Sequence, residues 1–303
     1  MTKIIFSRKG FDSTAGGIPS SKRGEYLISF PIPYEKNTLT TYNHLGLGKD
    51  IKELSNNKIQ PTDTCHFDPN LKIGQFGQVG AAQTHLANNN VGVGDLFLFW
   101  GWFRETLTIN KKTVFSKDDP GHYRLFGWMQ IGEIIHLGKD PSWYLNENPH
   151  SNSHPHTLGI WAENNTLYIA KEKLNIFGID NYYGFGEFKA SERTNLSINP
   201  SVKKSRWFCP KWLNPNHGGC GMTYHRDLKR WGENTVDVVG RGQEFVAEPK
   251  NTNEFKKWLK NIFKDAYTIE QVEYFKKLKK DLNEAALKTA LAHKDQWTRD
   301  TIH

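Results

Sequence analysis

The sequence predicts an α+β fold, a mixed β-rich core followed by C-terminal helices. Three observations lead there. Between residues 71 and 190, apolar residues come in short strand-type runs broken by glycines and Asn-containing turns. Helical spacing of apolar residues is sustained only beyond residue 250. Three cysteines, an odd number without a CxxC pair, exclude a disulfide scaffold as the organising principle. There is no internal repeat.

Taken in order, residues 1–34 read as a strand, a polar loop and a second strand. Residues 35–70 are turn-rich, with "GLGKD" and "SNNK" as breakers, and leave room for one short helix. "VGVGDLFLFW" is a turn running into a buried strand, and "YRLFGWMQIGEIIHL" is strand-type with glycine punctuation. "HTLGIWAENNTLYIAKEKL" reads as two strands around an Asn-Asn turn, because Asn tolerates positive φ. Residues 191–250 are loop-rich and aromatic. In "TNEFKKWLKNIFKDA", Phe255, Trp258, Leu259, Ile262 and Phe263 fall on one helical face, with Thr252 or Asn253 as the cap. A second helix begins at the capping box Thr268/Gln271, with Ile269, Val272, Phe275, Leu278 and Leu282 on one face. Its lysines 276, 277, 279 and 280 either meet phosphates or form a solvated face. The expected organisation is one α+β domain over residues 1–250, with residues 251–303 as a helical segment packed on it.

The net charge of +8 favours a polyanionic partner. The aromatic share of 13% leaves rings beyond those a core requires, and these suit stacking on bases or sugars. The N-terminal apolar run is too short for a signal peptide, and "LFLFWGWF" is too short to span a bilayer. A cytoplasmic monomer is expected, without a membrane partner.

Six stretches carry candidate chemistry. The first is "SRKGFDSTAGGIPSS". Glycines 10, 16 and 17 permit positive φ or close approach to a ligand, Arg8, Lys9 and Ser13 can hold phosphate, and Asp12 sits ionised among positive charge. Such a carboxylate can stabilise a cationic sugar transition state; it can equally be an Asx turn paired with Arg8. The second is "TCHFDPNLKIGQFGQVGAAQTHL". Its Gln75, Gln78 and Gln83 carry the donor and acceptor pair that reads a base edge, with His66 and His85 beside them, and its recurring glycines read as a close-approach loop. A metal held by His66, Asp68 and His85 is conceivable, but H-x-D alone is common, so no metal or cofactor is expected. The third is "FWGWFRE", where Trp102 can stack on a base and Arg104 can meet the backbone, unless these residues are core. The fourth is "NPHSNSHPHTLGIW", whose His150, His154 and His156 suit acid–base or metal chemistry or ordinary loop duty. No HxT pair occurs twice, which excludes the two-His phosphoesterases. In the fifth, Cys209, His217, Cys220 and His225 are zinc-type residues, but their spacing matches no zinc finger. The sixth is "VVGRGQEFV", with Arg241 and Gln243 for nucleic acid and Glu244 as a second candidate catalytic carboxylate, or a plain strand end.

Gly94-Asp95-Leu96-Phe97-Leu98-Phe99 and Gly127-Trp128-Met129-Gln130-Ile131-Gly132-Glu133-Ile134 together resemble the small PUA/ASCH/EVE-like barrels that bind nucleic acids or modified bases. A longer set is more specific: "SRKGFDSTAGGIPSS", "ISFPIP", "HFDPNL", "GQFGQVGAAQTHL", "VGVGDLFLFWGWFRE", "WMQIGEI", "NTLYIA" and "GRGQEFV". From about residue 3 to 260 the chain resembles the third type of nucleotide-modification-associated domain, a family of bacteria and phages. That family is similar to phage-defence DNA glycosylases acting on glucosylated hydroxymethylcytosine. The resemblance implies a DNA glycosylase that flips a modified base out of double-stranded DNA and leaves an abasic site. Within it, Arg8 and Lys9 would hold phosphate, Asp12 would face the sugar, the glutamines would read the base or its hexose, and Lys9 could serve as a nucleophile. The alternatives are an enzyme acting on nucleotides in a base-hypermodification pathway and a non-catalytic reader of modified DNA.

Overall fold

The computed structural model describes residues 2–149, 154–240, 242, 244–250, 252–274, 276 and 277. His150, Arg241, Gln243 and the second helix beyond residue 277 lie outside the described residues. The strands are β1 (Ile4–Arg8), β2 (Ser20–Arg23), β3 (Tyr26–Ile28), β4 (Gln75–Gln78), β5 (Leu96–Ile109), β6 (Lys112–Phe115), β7 (His122–His136), β8 (Thr166–Ala170), β9 (Phe185–Glu187), β10 (Arg206–Phe208), β11 (Thr235–Asp237) and β12 (Glu244–Ala247). The helices are α1 (Gly48–Leu54), α2 (Gly80–Asn88), α3 (Ser142–Glu147), α4 (Pro200–Lys203) and α5 (Asn253–Phe263). The fold is α+β and β-rich, as the sequence predicts.

One mixed sheet dominates, with the path β12-β1-β5-β7-β8-β4. β5 is its spine. β1 and then β2 run parallel to it, one after the other along the same edge, and β7 runs antiparallel on its other edge. Register shifts at Phe99/Trp100 and at Ile131/Glu133 mark irregularities of the kind that bend a sheet. The loop between β1 and β2 leaves the sheet opposite residues 101–102 of β5, which aims the glycine-rich stretch outward.

The apolar run of β5 is explained by burial on both faces. Leu96, Leu98 and Trp100 join one core with Ile4, Phe6, Trp128, Trp207 and the buried face of α5. Phe97, Phe99 and Phe103 join a second core with Ile5, Phe76, Met129, Tyr168 and Val246. A third cluster of Phe11, Phe30, Tyr42 and Ile51 underlies the first loop and α1. Thr252 caps α5 by accepting the Phe255 N–H at 3.2 Å. Residues 1–266, α5 included, form one compact unit. The described residues from Tyr267 onward belong to a second, in which Thr268 and Gln271 make the reciprocal capping box.

Two local readings are corrected. The segment before β8 is not a strand: Pro155–Thr157 is a 3-10 turn, and β8 pairs with β7 and β4 instead. Proline has no N–H for a ladder and presets the turn. The stretch carrying Gln83 and His85 is helix α2, not a loop. Gly74 precedes β4, Gly77 lies within it and Gly80 opens α2, and "AAQTHLA" between Gly80 and Asn88 is adequate helix sequence.

Candidate functional site

Side chains alternate along each strand, so the second core can be followed to its end. Ile5, Phe76 and Val246 are apolar, and two residues along the same strands stand Ser7, Gln78 and Glu244. The interior thus changes from apolar to polar where the sheet path ends meet. Gln78 of β4 donates from Nε2 to Glu244 Oε1 of β12 at 2.7 Å, joining the two terminal strands of the path. Lys9 Nζ donates to the same oxygen at 3.2 Å and lies 4.3 Å from the Phe76 ring centroid. The Glu244 side chain is fully buried, and its Oε2 has no hydrogen-bond partner among the described residues. A buried carboxylate held in this way requires a cation, and Lys9 supplies it.

In front of this pair lies a pocket of about 280 Å³. Its lip is the first loop, with Arg8, Asp12 and Thr14; its floor holds Lys9, Gln78, His66, Asp68 and His156; Tyr34 and Trp161 form an aromatic wall. Tyr34 and Trp161 are nearly parallel, at 10°, with centroids 6.3 Å apart. Trp161 also stacks on His156 at 4.4 Å and 8°. Gly77 is required here: a Cβ on it would fall 2.2 Å from the His156 ring.

Asp68 is the electrostatic centre of the floor. Its Oδ1 accepts the Gly77 N–H at 3.0 Å and lies 3.2 Å from His154 Nε2; its Oδ2 lies 3.9 Å from His156 Nε2. Burial by itself raises the Asp68 carboxyl, but the His154 hydrogen bond and the positive charge of Lys9 oppose it, and the group is held below the usual carboxylate range. Burial pushes His66 down to about 4 and His156 down to about 3. At neutral pH the floor therefore combines an anionic carboxylate with two neutral imidazoles.

Asp12 holds the lip together. Its Oδ1 accepts from Thr14 N, Thr14 Oγ1 and Ala15 N at 2.7, 2.7 and 2.8 Å, and Arg8 Nε is 4.0 Å from Oδ2. Burial opposes its ionisation, yet these hydrogen bonds and Arg8 lower it overall. Gly10, Gly16 and Gly17 all adopt positive φ, and a side chain on Gly16 would strike the buried Phe11 ring. Ser13 is exposed beside them.

The other predicted residues lie outside this pocket. Gln75 is buried in β4 opposite Ile169. Gln83 accepts the Tyr168 hydroxyl at 2.8 Å inside the second core. His85 contacts Thr223 Oγ1 at 2.9 Å and stacks on Tyr224 at 4.4 Å. Arg104 donates twice to the Ser116 carbonyl, and Trp102 carries Lys204 at 3.6 Å from its ring. His85 is thus not beside His66 and Asp68; His156 is, with His154 behind it. Cys209, His217, Cys220 and His225 do not gather as a ligand group among the described residues. Tyr34, Trp161, His156 and Asp68 in the pocket, and His154 behind it, were in no site assignment from sequence, although the H-x-D and HPH stretches drew attention to three of them.

Fold and site together define an α+β domain with a small polar pocket where the ends of its mixed sheet come together. The chain belongs to the nucleotide modification associated domain 3 family, whose profile matches residues 3–248. The match takes in every strand and stops short of α5. No curated protein and no solved structure matches the chain. No helix among the described residues is long and apolar enough to cross a membrane.

Proposed function

We propose that this chain is a DNA glycosylase that hydrolyses the N-glycosidic bond of a flipped-out modified base, a glucosylated hydroxymethylcytosine of phage DNA, as an antiviral defence. The observation that carries the reading is the pocket floor. An ionised Asp68 faces the imidazole of His156, with the Lys9 ammonium behind them and an aromatic wall opposite. A base leaving its deoxyribose makes an oxocarbenium-like centre at C1′, and a fixed carboxylate stabilises it. Water adds to C1′, the C1′–N bond breaks, and the base departs with a proton. Tyr34 and Trp161 offer π-faces for the flipped base, and Arg8 a fork for its phosphate. In this reading Asp12 orders the phosphate-binding lip, and Glu244 keeps Lys9 in place.

The test incubates the protein with ordinary, hydroxymethylcytosine and glucosyl-hydroxymethylcytosine duplexes. Abasic sites are then assayed and the released base is identified by mass spectrometry. Release is expected from modified DNA only, falling at least a hundredfold in Asp68→Asn, the scale of a lost electrostatic or acid–base group. Tight binding with intact DNA would instead make the protein a reader. Absence of both would point to free nucleotides.

A further inference from the structure

We infer that His66, Asp68 and His156 form a binding site for one divalent transition-metal ion. Their nitrogen and oxygen ligand atoms all lie within 4.8 Å of one another. The hydrogen bonds around them decide which lone pairs are free. Asn165 donates from Nδ2 to the His156 carbonyl at 2.9 Å, so its Oδ1, 2.7 Å from His156 Nδ1, must accept there. His156 Nδ1 therefore carries the proton, and Nε2 presents a lone pair. That lone pair faces Asp68 Oδ2 at 3.9 Å. Two acceptors facing each other in a buried site repel, and a cation between them satisfies both.

The remaining atoms are arranged accordingly. The His156 backbone N–H donates to His154 Nδ1 at 3.3 Å, so His154 carries its proton on Nε2 and donates it to Asp68 Oδ1. Gly77 N–H also serves Oδ1, leaving Oδ2 as the ligand atom. His154 and Asn165 thus orient Asp68 and His156 as outer-shell partners do at metal centres. The His66 ring stands at 86° to His156, centroids 5.2 Å apart, and supplies the third donor. Bonds of about 2.0–2.2 Å to such ligands need the three to close by roughly an ångström. Two imidazoles and one carboxylate leave positions open on the pocket side, the pattern of a catalytic rather than a structural ion. The donor set suits Zn²⁺ or Fe²⁺ rather than Mg²⁺ or Ca²⁺.

The test is independent of any reaction. The chelator-treated full chain is titrated with Zn²⁺ and, separately, with Co²⁺ under a visible absorption readout. One equivalent should bind, with Co²⁺ bands of nitrogen and oxygen ligation. His66→Ala and His156→Ala should each weaken binding at least tenfold, Asn165→Ala by about 10–100-fold, and His85→Ala not at all. Circular dichroism checks that each variant is folded, and the wild-type Co²⁺ spectrum needs no variant. Absence of stoichiometric binding overturns the inference. So does a thiolate-to-cobalt charge-transfer band, which would put the ion on a cysteine. Base release is scored separately, so either idea can fail alone.

Discussion

At the scale of single residues, the Lys9–Glu244 pair is the sharpest commitment. Its carboxylate is fully buried and its lysine nearly so, and removing one partner of such a pair leaves an uncompensated charge. Lys9→Met should cost about 3–5 kcal/mol in chemical denaturation. The double variant Lys9→Met/Glu244→Gln should regain most of that stability but no base release. Equal loss in both variants would mean that the unpaired Glu244 charge is not the source of the cost. His225 sets a second expectation. Burial keeps it neutral below the ordinary histidine range; its Nε2 accepts the Val239 N–H at 3.1 Å, and Nδ1 donates to the Thr223 carbonyl at 2.8 Å. Below about pH 6.5 the unfolded chain takes up a proton on this residue, and the folded chain does so only at lower pH. The unfolded state then binds more protons, so stability falls as the pH drops. His225→Gln should reduce that slope by up to about 1.4 kcal/mol per pH unit, read from melts between pH 7 and pH 5.

At the scale of elements, β4 does two things at once. It ends the sheet path, and it presents Gly77 as the flat surface on which the His156 ring rests. Gly77→Ala would drive a methyl into that ring, shift it, and cost about 1–3 kcal/mol by overpacking. Denaturant midpoint and zinc affinity should both fall; an unchanged zinc affinity would show that His156 tolerates displacement. The same strand explains why its neighbourhood was hard to read. Glycines at 74, 77 and 80 look alike in sequence, yet one fits against Phe185, one under an imidazole and one opens α2. By contrast, α5 was legible down to its cap, because Thr252 and the spacing of Phe255, Leu259, Ile262 and Phe263 are local features.

At the scale of the whole molecule, the net charge of +8 predicts salt-sensitive DNA binding. Affinity for duplex DNA should fall linearly on log–log axes with salt. Arg8→Ala should lower the slope by about one if Arg8 meets a phosphate. An unchanged slope would place Arg8 off the nucleic-acid path.

The α+β class, the strands β5 and β7, the capped helix α5 and the family could all be read from the sequence. Each of these is written in local patterns of burial and turn chemistry. Which residues meet is set by the packing of distant strands. Asp68 finds His154 and His156 rather than His85, Lys9 finds Glu244 across 235 positions, and Gln78 reaches the same carboxylate across 166. Those meetings depend on strand register and on the approach of β4 to β12, which no window of neighbouring residues encodes.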